Sequence, residues 1–233
     1  MSHSAMQNQD SGPSGAEASS SLRTGQIMIS ATQVHKILNS GFMKGKSSTI
    51  PHSYIITDKP NQIKPLEWGN IMEAKARMKY QEWKMNSRGQ NVSISMSGLY
   101  DDPKWPWLCA KTDGMVMDDS GNFLCCLEVK CPYKHRHKRV VDACREDRRF
   151  CLEILDPDTQ PPKYQLKKSH EYFTQVQAQM ALTGIHEVDF VVYTLKDMAI
   201  TNVKFDSEHW EETVAKLQTF IEIYTFKRSE EEF

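Results

Sequence analysis

The sequence lacks long apolar runs, a regular cysteine pattern and any strong net charge, and each absence removes a class of protein. No stretch approaches the roughly 20 apolar residues that a membrane-spanning helix needs, so we expect no membrane partner. The formal net charge is −1 over 233 residues. A nucleic-acid partner would therefore have to be bound by local basic clusters, because the chain carries no overall positive field.

The cysteines do not form the pattern of a disulfide framework. There are six, two of them adjacent: Cys109, Cys125, Cys126, Cys131, Cys144 and Cys151. Without a signal peptide, this usage favours an intracellular protein of the nucleus or cytoplasm, not a secreted one. Cys131, His135, His137 and Cys144 lie close together in sequence, but their spacing is irregular and no zinc is expected.

The pattern of apolar residues predicts one domain behind a polar tail. Residues 1–21 are rich in Ser, Gly and Ala and are expected to be disordered, while 22–233 shows no linker that would divide it. Helices are predicted over 31–38, 66–85, 139–150, 169–183 and 207–226, with a further helical turn near 51–57. Strands are predicted over 91–100, 108–117, 123–131, 188–195 and 199–205. This order suggests a mixed sheet flanked by helices.

One predicted strand carries charges where a buried strand should be apolar. Glu128 and Lys130 interrupt an apolar run and, two residues apart, lie on the same face. Asp113 lies on the partner strand of the predicted hairpin and can meet them across it. Two converging carboxylates can bind Mg²⁺, and a neighbouring lysine can orient or deprotonate an attacking water. This is the chemistry of phosphodiester hydrolysis. The alternative is a surface ion pair on an edge strand, which the tripeptide alone favours.

Further motifs resemble the λ-phage exonuclease and YqaJ-type viral recombinase family, a branch of the PD-(D/E)XK nucleases. The opening LRTGQIMISATQVHKIL is similar to the family's first motif, and EWGNIMEAKA to its W-G-x-x-x-E helix. KTDGMV and LEVKCPY resemble the S-P-D-G and E-x-K-C-P elements. HEYFTQVQAQMALTGIHEVDFVVYT resembles the Y-x-x-Q-x-Q segment. The resemblance covers nearly all of 23–225, and its last two blocks are most similar to YqaJ-like domains of animal genomes.

The resemblance implies a restriction-endonuclease-like α/β (α+β) core and a set of site residues. Asp113, Glu128 and the Val129 carbonyl would bind Mg²⁺, for which Mn²⁺ would substitute, and Lys130 would lie beside the nucleophilic water. Glu73 would complete the acidic cluster and Gln175 would position water or a ligand.

Contacts to DNA are also implied. Arg23 and Thr32 would bind the 5′ phosphate of a DNA end. Lys111-Thr112 replaces the family's Ser-Pro before the aspartate, which bears on end specificity. The basic run after the metal strand suggests phosphate contacts by Arg136, Lys138 and Arg139, with a solvated surface as the alternative.

The function expected on this basis is Mg²⁺-dependent exonuclease activity on linear duplex DNA, 5′→3′ from phosphorylated ends. The setting would be DNA recombination, repair, or processing of viral or mobile-element DNA. The alternatives are a catalytically weak DNA-binding or interaction module, and an endonuclease or single-strand nuclease that uses the same residues. A homotrimer and an annealing protein partner are further expectations from the family.

Overall fold

The centre of the fold is a five-stranded mixed sheet. The computed structural model describes residues 16–17, 27–49, 63–96 and 98–231. Its strands are β3 Ser93–Ser95, β6 Gly114–Met117, β7 Phe123–Lys130, β10 Glu187–Tyr193 and β11 Met198–Lys204. The strand order is β11-β10-β7-β6-β3, and β7 runs parallel to β10 while the other neighbours are antiparallel.

Helices cover both faces of this sheet. They are α1 Ala31–Leu38, α2 Ile63–Arg88, α3 Val140–Glu146, α4 Glu171–Thr183 and α5 Ser207–Glu231. Leu127 and Val129 of β7 pack with Tyr80 of α2 on one face, whereas Cys126 clusters with Val176 of α4 on the other. Because side chains alternate along a strand, Glu128 and Lys130 share the face of Cys126 and point toward α4.

A second, smaller sheet lies beside α1 and α5. Its order is β1-β4-β5-β2, formed by β1 Ala16–Glu17, β2 Ile29–Ser30, β4 Tyr100–Asp101 and β5 Leu108–Ala110. Its core joins Leu108 to Val34 of α1 and to Phe220 of α5. A separate hairpin is formed by β8 Leu152–Asp156 and β9 Lys163–Leu166. None of the helices in the described ranges combines the length and apolar character needed to cross a membrane.

Several predicted elements are confirmed at their ends. Helix α1 begins after Ser30, whose backbone N–H donates to Gln33 Oε1 at 2.9 Å, an arrangement typical of a helix start. Helix α4 ends at Gly184, which adopts the left-handed conformation with φ 73°. Glycine tolerates this conformation because it has no Cβ.

Other predicted elements are wrong in extent. The single strand predicted over 91–100 is divided into β3 and β4, and that over 108–117 into β5 and β6, each pair distributed between the two sheets. The helix predicted over 139–150 is limited to α3, and the β8–β9 hairpin was not predicted. The helical turn predicted near 51–57 lies outside the described residues. The tail expected to be disordered, residues 1–21, also lies outside the described residues, apart from β1.

Candidate active site

The end of β7 places a carboxylate and an ammonium against α4. Glu128 is 2% exposed, and its Oε1 accepts hydrogen bonds from Lys130 Nζ at 2.6 Å and from Gln175 Nε2 at 2.7 Å. Its Oε2 accepts from Gln179 Nε2 at 2.7 Å. A buried carboxylate is costly unless donors compensate it, and Glu128 has three.

Asp113 reaches the same place from the residue before β6. Its backbone N–H donates to Leu127 O at 3.0 Å, and its Oδ2 accepts from the Val129 N–H at 2.8 Å. The side chain therefore lies where β6 would otherwise continue the ladder with β7. Gly114 follows at once, and a Cβ there would be 2.4 Å from Ile94 Cγ2 of β3. Glycine is thus required for β3 to approach this closely.

The Asp113 carboxylate is poorly compensated. Burial, the neighbouring charge of Glu128 and, to a smaller extent, Glu73 raise the pKa of Asp113 from 3.8 to about 7, against the lowering effect of the Val129 hydrogen bond. No described residue donates to Asp113 Oδ1. The carboxylates in this cleft repel one another in the absence of a cation.

Lys130 is enclosed by acceptors and an aromatic ring. Its Nζ donates to Gln175 Oε1 at 3.2 Å as well as to Glu128, and lies 4.3 Å from the centre of the Tyr172 ring. Burial alone would lower the pKa of Lys130, but the charge and hydrogen bond of Glu128 outweigh burial, so the pKa is raised. The ammonium is therefore charged at neutral pH.

Glu73 lies on α2 at the rim of the site and already has a partner. It forms an ion pair with Arg77, one turn further along the helix. Arg77 Nη1 also approaches the Asp113 carbonyl oxygen at 3.5 Å. The structure therefore brings Glu73 to the cleft, but its carboxylate is engaged by a cation of the chain.

Two clefts meet at these residues. The first has a volume of about 450 Å³, and its wall contains the predicted site residues Thr32, Glu73, Asp113, Glu128, Val129, Lys130 and Gln175. The second, of about 470 Å³, shares Glu73, Val129 and Lys130 with the first, and its wall also contains His170 and Tyr172. A ligand held at Lys130 can thus extend in either direction.

The donor set fits a hard divalent cation. Asp113 Oδ1 has no donor among the described residues, and Glu128 Oε2 receives one. The Val129 carbonyl points toward the same strand edge as its N–H, beyond the start of β6. Mg²⁺ is typically held by one or two carboxylates, with water and phosphate completing the shell. In the described ranges, no three Asp, Glu, His or Cys side chains are close enough to hold a metal by themselves.

The structure does not bring the predicted basic run into either cleft. Arg136 donates to Tyr133 O at 2.7 Å and lies over the Tyr133 ring. Lys138 pairs with Glu146. Arg139 lies 3.7 Å from an Asp197 carboxylate oxygen. All three basic side chains thus have partners within the chain. Arg23 lies outside the described residues.

Three side chains around the site were not predicted to belong to it. Gln179 is fully buried and binds Glu128, Arg77 holds Glu73, and Tyr172 faces Lys130. The spacing of Gln179, one helical turn after Gln175, was an available signal, because residues four apart share a helix face. Arg77 likewise follows Glu73 by four residues on α2, so the same signal was available for this ion pair. The proximity of Tyr172 depends on tertiary packing alone.

The fold is a mixed α+β core of the PD-(D/E)XK type. A model of the YqaJ-like viral recombinase domain matches residues 20–186, so the chain belongs to this family. None of the curated proteins matches it.

Two solved structures of other proteins share this fold. LHK-Exo, an alkaline exonuclease from Laribacter hongkongensis, was solved in complex with dAMP and is 20% identical, with a TM-score of 0.56. The alignment covers 88% of this chain and 94% of that one. A phage-related exonuclease from Haemophilus somnus 129PT is 13% identical with a TM-score of 0.52, over 88% and 96% of the two chains.

Proposed function

We propose that this protein is a Mg²⁺-dependent deoxyribonuclease that degrades linear duplex DNA from 5′-phosphorylated ends in the 5′→3′ direction. Its role would lie in DNA recombination, repair, or the processing of viral or mobile-element DNA. The observation that carries the proposal is the convergence of Asp113, Glu128, Lys130 and Gln175 in one cleft. Family membership and the exonuclease names of the structural neighbours support it.

The cation would be held by Asp113, Glu128 and the Val129 carbonyl. When bound, it would neutralise charge that develops on the phosphate oxygens and lower the pKa of a bound water. Glu73 would join this set only after its ion pair with Arg77 opens. The raised pKa of Asp113 supports the assignment, because an approaching cation favours the ionised form that burial and Glu128 disfavour.

Lys130 would act as a hydrogen-bond donor and a fixed positive charge. Its raised pKa keeps it protonated at neutral pH, so orientation of the attacking water fits it better than proton abstraction. Gln175 bridges Glu128 and Lys130 through its amide. This bridge would keep the ammonium at a defined place as the scissile phosphate enters.

Thr32 is proposed to contact the 5′ phosphate of the DNA end. It lies in the wall of the same cleft as Glu128 and Lys130, and its hydroxyl contacts Ser30 Oγ at 2.8 Å. Arg23 is proposed as its partner. Of the basic run, Lys138 and Arg139 remain candidates for phosphate contacts because their ion pairs are exposed, and exposed pairs contribute only about 0–1 kcal/mol.

The test compares end-labelled linear duplex with covalently closed circular DNA in the presence of Mg²⁺. We expect the linear substrate to be degraded and the circle to survive. Lys130→Ala and Asp113→Ala should lose activity by a factor on the order of 100 or more, which is typical for residues that act in the transition state. Lys204→Ala, a basic residue on β11 outside this cleft, should retain it.

Other outcomes assign the alternative functions. Cleavage of the circle would indicate an endonuclease, and preference for unpaired DNA a single-strand nuclease. Binding without cleavage of any DNA would indicate a DNA-binding module.

A second comparison uses 5′-phosphate and 5′-hydroxyl ends. The phosphorylated end should be degraded faster, and Thr32→Val should reduce the difference if the hydroxyl contacts that phosphate.

A further inference from the structure

Gln179 connects the two segments that carry the carboxylates. It is fully buried on α4. Its Nε2 donates to Glu128 Oε2 at 2.7 Å and to the backbone carbonyl of Lys111 at 2.8 Å. Lys111 lies two residues before Asp113, between β5 and β6. One amide group thus contacts the strand that carries Glu128 and the connection that carries Asp113.

The chemistry of the contacts defines the orientation of this amide. Both neighbours of Nε2 are acceptors, and a side-chain amide donates only through its nitrogen. Rotating the group would place its oxygen against two other oxygens, in a buried place where repulsion is weakly screened. Gln179 Oε1 is itself buried and has no hydrogen-bond partner among the described residues. The two donated bonds therefore determine the side chain's position.

We propose that Gln179 is a positioning residue that sets the separation of Asp113 and Glu128 and thereby the affinity of this carboxylate pair for a divalent cation. The inference rests on the proposed function in that both assign a cation to these carboxylates. The connection Lys111-Thr112 contains no proline to restrict its backbone, so a bond to the Lys111 carbonyl supplies a restraint there. Without that restraint Asp113 would still be bonded to β7 through Leu127 and Val129, but the segment that leads into it could shift relative to Glu128.

Gln177 provides a matched control on the same helix. It is also fully buried, and it makes two hydrogen bonds, from its Nε2 to Lys204 O at 3.1 Å and from the Asp206 N–H to its Oε1 at 2.8 Å. These bonds anchor the end of β11 and the segment before α5, away from the carboxylates. Replacing either glutamine with methionine keeps the length of the side chain and removes two hydrogen bonds.

The experiment measures Mn²⁺ affinity by isothermal titration calorimetry on the full chain, with urea unfolding of each variant. Gln179→Met should weaken Mn²⁺ binding by about 10–100-fold, the range typical of residues that orient metal ligands. Gln177→Met should lose comparable stability and bind Mn²⁺ within about 2-fold of wild type, because its contacts lie away from the ligands. If a methionine variant does not fold, the pair Gln179→Ala and Gln177→Ala serves the same comparison.

The outcomes separate this inference from the proposed function. Unchanged Mn²⁺ affinity in Gln179→Met, with a wild type that binds, overturns the role of Gln179 alone. Equal weakening in Gln177→Met also overturns it, because the effect would then reflect general loss of structure. Absence of Mn²⁺ binding by the wild-type protein overturns the metal-dependent function itself.

Discussion

Replacing Asp113 with asparagine is expected to stabilise the metal-free protein at pH 8. The native carboxylate is held beside Glu128 in a half-buried position, and burial together with that charge raises the pKa of Asp113 from 3.8 to about 7. At pH 8 the group is nevertheless ionised, so holding its charge in this place lowers the free energy of unfolding. Asparagine has a similar shape and still offers an oxygen to the Val129 N–H, but it carries no charge.

The pKa shift gives the magnitude of the effect. Because the pKa of Asp113 rises from 3.8 to about 7 on folding, ionising this carboxyl group lowers the free energy of unfolding by about 4 kcal/mol. The variant also gives up the ionic component of the Val129 hydrogen bond, about 1 kcal/mol. The expected gain in the free energy of unfolding at pH 8 is therefore about 2–3 kcal/mol.

The sign of the pH dependence follows from the same shift. The folded-state pKa of Asp113 lies above its unfolded-state value. Its contribution to wild-type stability is thus fully present below about pH 4 and is lost as the pH rises through about 7. The variant has no such loss. Its advantage over wild type should grow by about 2–3 kcal/mol between pH 5 and pH 8.

Urea unfolding in EDTA at pH 5, 6, 7 and 8 measures this difference. Subtracting the free energies of unfolding of the two proteins at each pH cancels the contribution of all other titrating groups, provided that the m-values of the two proteins agree. A difference that does not change with pH, or that shrinks toward pH 8, would refute the electrostatic reasoning. Repeating the pH 8 measurement with Mg²⁺ should stabilise wild type through ligand binding but leave Asp113→Asn almost unchanged.

Two further predictions concern buried residues of the central sheet. Asp189 is buried and accepts hydrogen bonds from Tyr80 and Asn202 besides its 2.9 Å ion pair with Lys84. Burial raises its pKa, but these partners outweigh burial and the pKa is lowered. Asp189→Asn should therefore destabilise the protein by about 3 kcal/mol at pH 7, and by less as the pH falls below 4, in urea unfolding. Gly114→Ala should cost about 1–3 kcal/mol by overpacking against Ile94, and the double variant with Ile94→Ala should recover part of that loss in the same assay.

The elements with strong local patterns were predictable from the sequence. Helix α1 has a capping serine at Ser30 and helix α4 ends at a glycine, Gly184. Strand β7 has an apolar run, and the period of two along a strand places Glu128 and Lys130 on one face whatever the neighbouring strands are. Fold class and family membership followed from several such local motifs in one chain. Each of these signals is contained within a few neighbouring residues.

The elements that depend on distant partners were not predictable. Residues 108–117 look like one strand, but Leu108 pairs with Ile29 of β2, whereas Gly114 pairs with Leu127 of β7. The choice between two sheets depends on which strands are nearby in space, and the pattern of one segment does not contain it. Hairpin β8–β9 lies in a polar, proline-containing region where only short alternation is present, and such alternation is also found in loops.

The same distinction applies to the charged groups of the site. The hairpin pattern predicts that Asp113 and Glu128 converge, but it does not distinguish their surroundings, which differ in the fold. Glu128 receives donors from Lys130, Gln175 and Gln179, and Asp113 receives one backbone N–H. The position of Lys130 follows from the period of two along the strand, but the donors from α4 are revealed only by the packed structure.

This asymmetry has a consequence for function. Glu128 is held in place by three donors of the chain itself, whereas Asp113 receives one backbone N–H, which leaves most of its charge uncompensated. A cation that binds both would recover the free energy that the folded protein loses by ionising Asp113. In the proposed function, the folded protein thus loses stability at neutral pH at the place where the cation would bind, as is common at active sites. In the proposed metal site, Glu128 would therefore position the cation, and Asp113 would supply the uncompensated charge that attracts it.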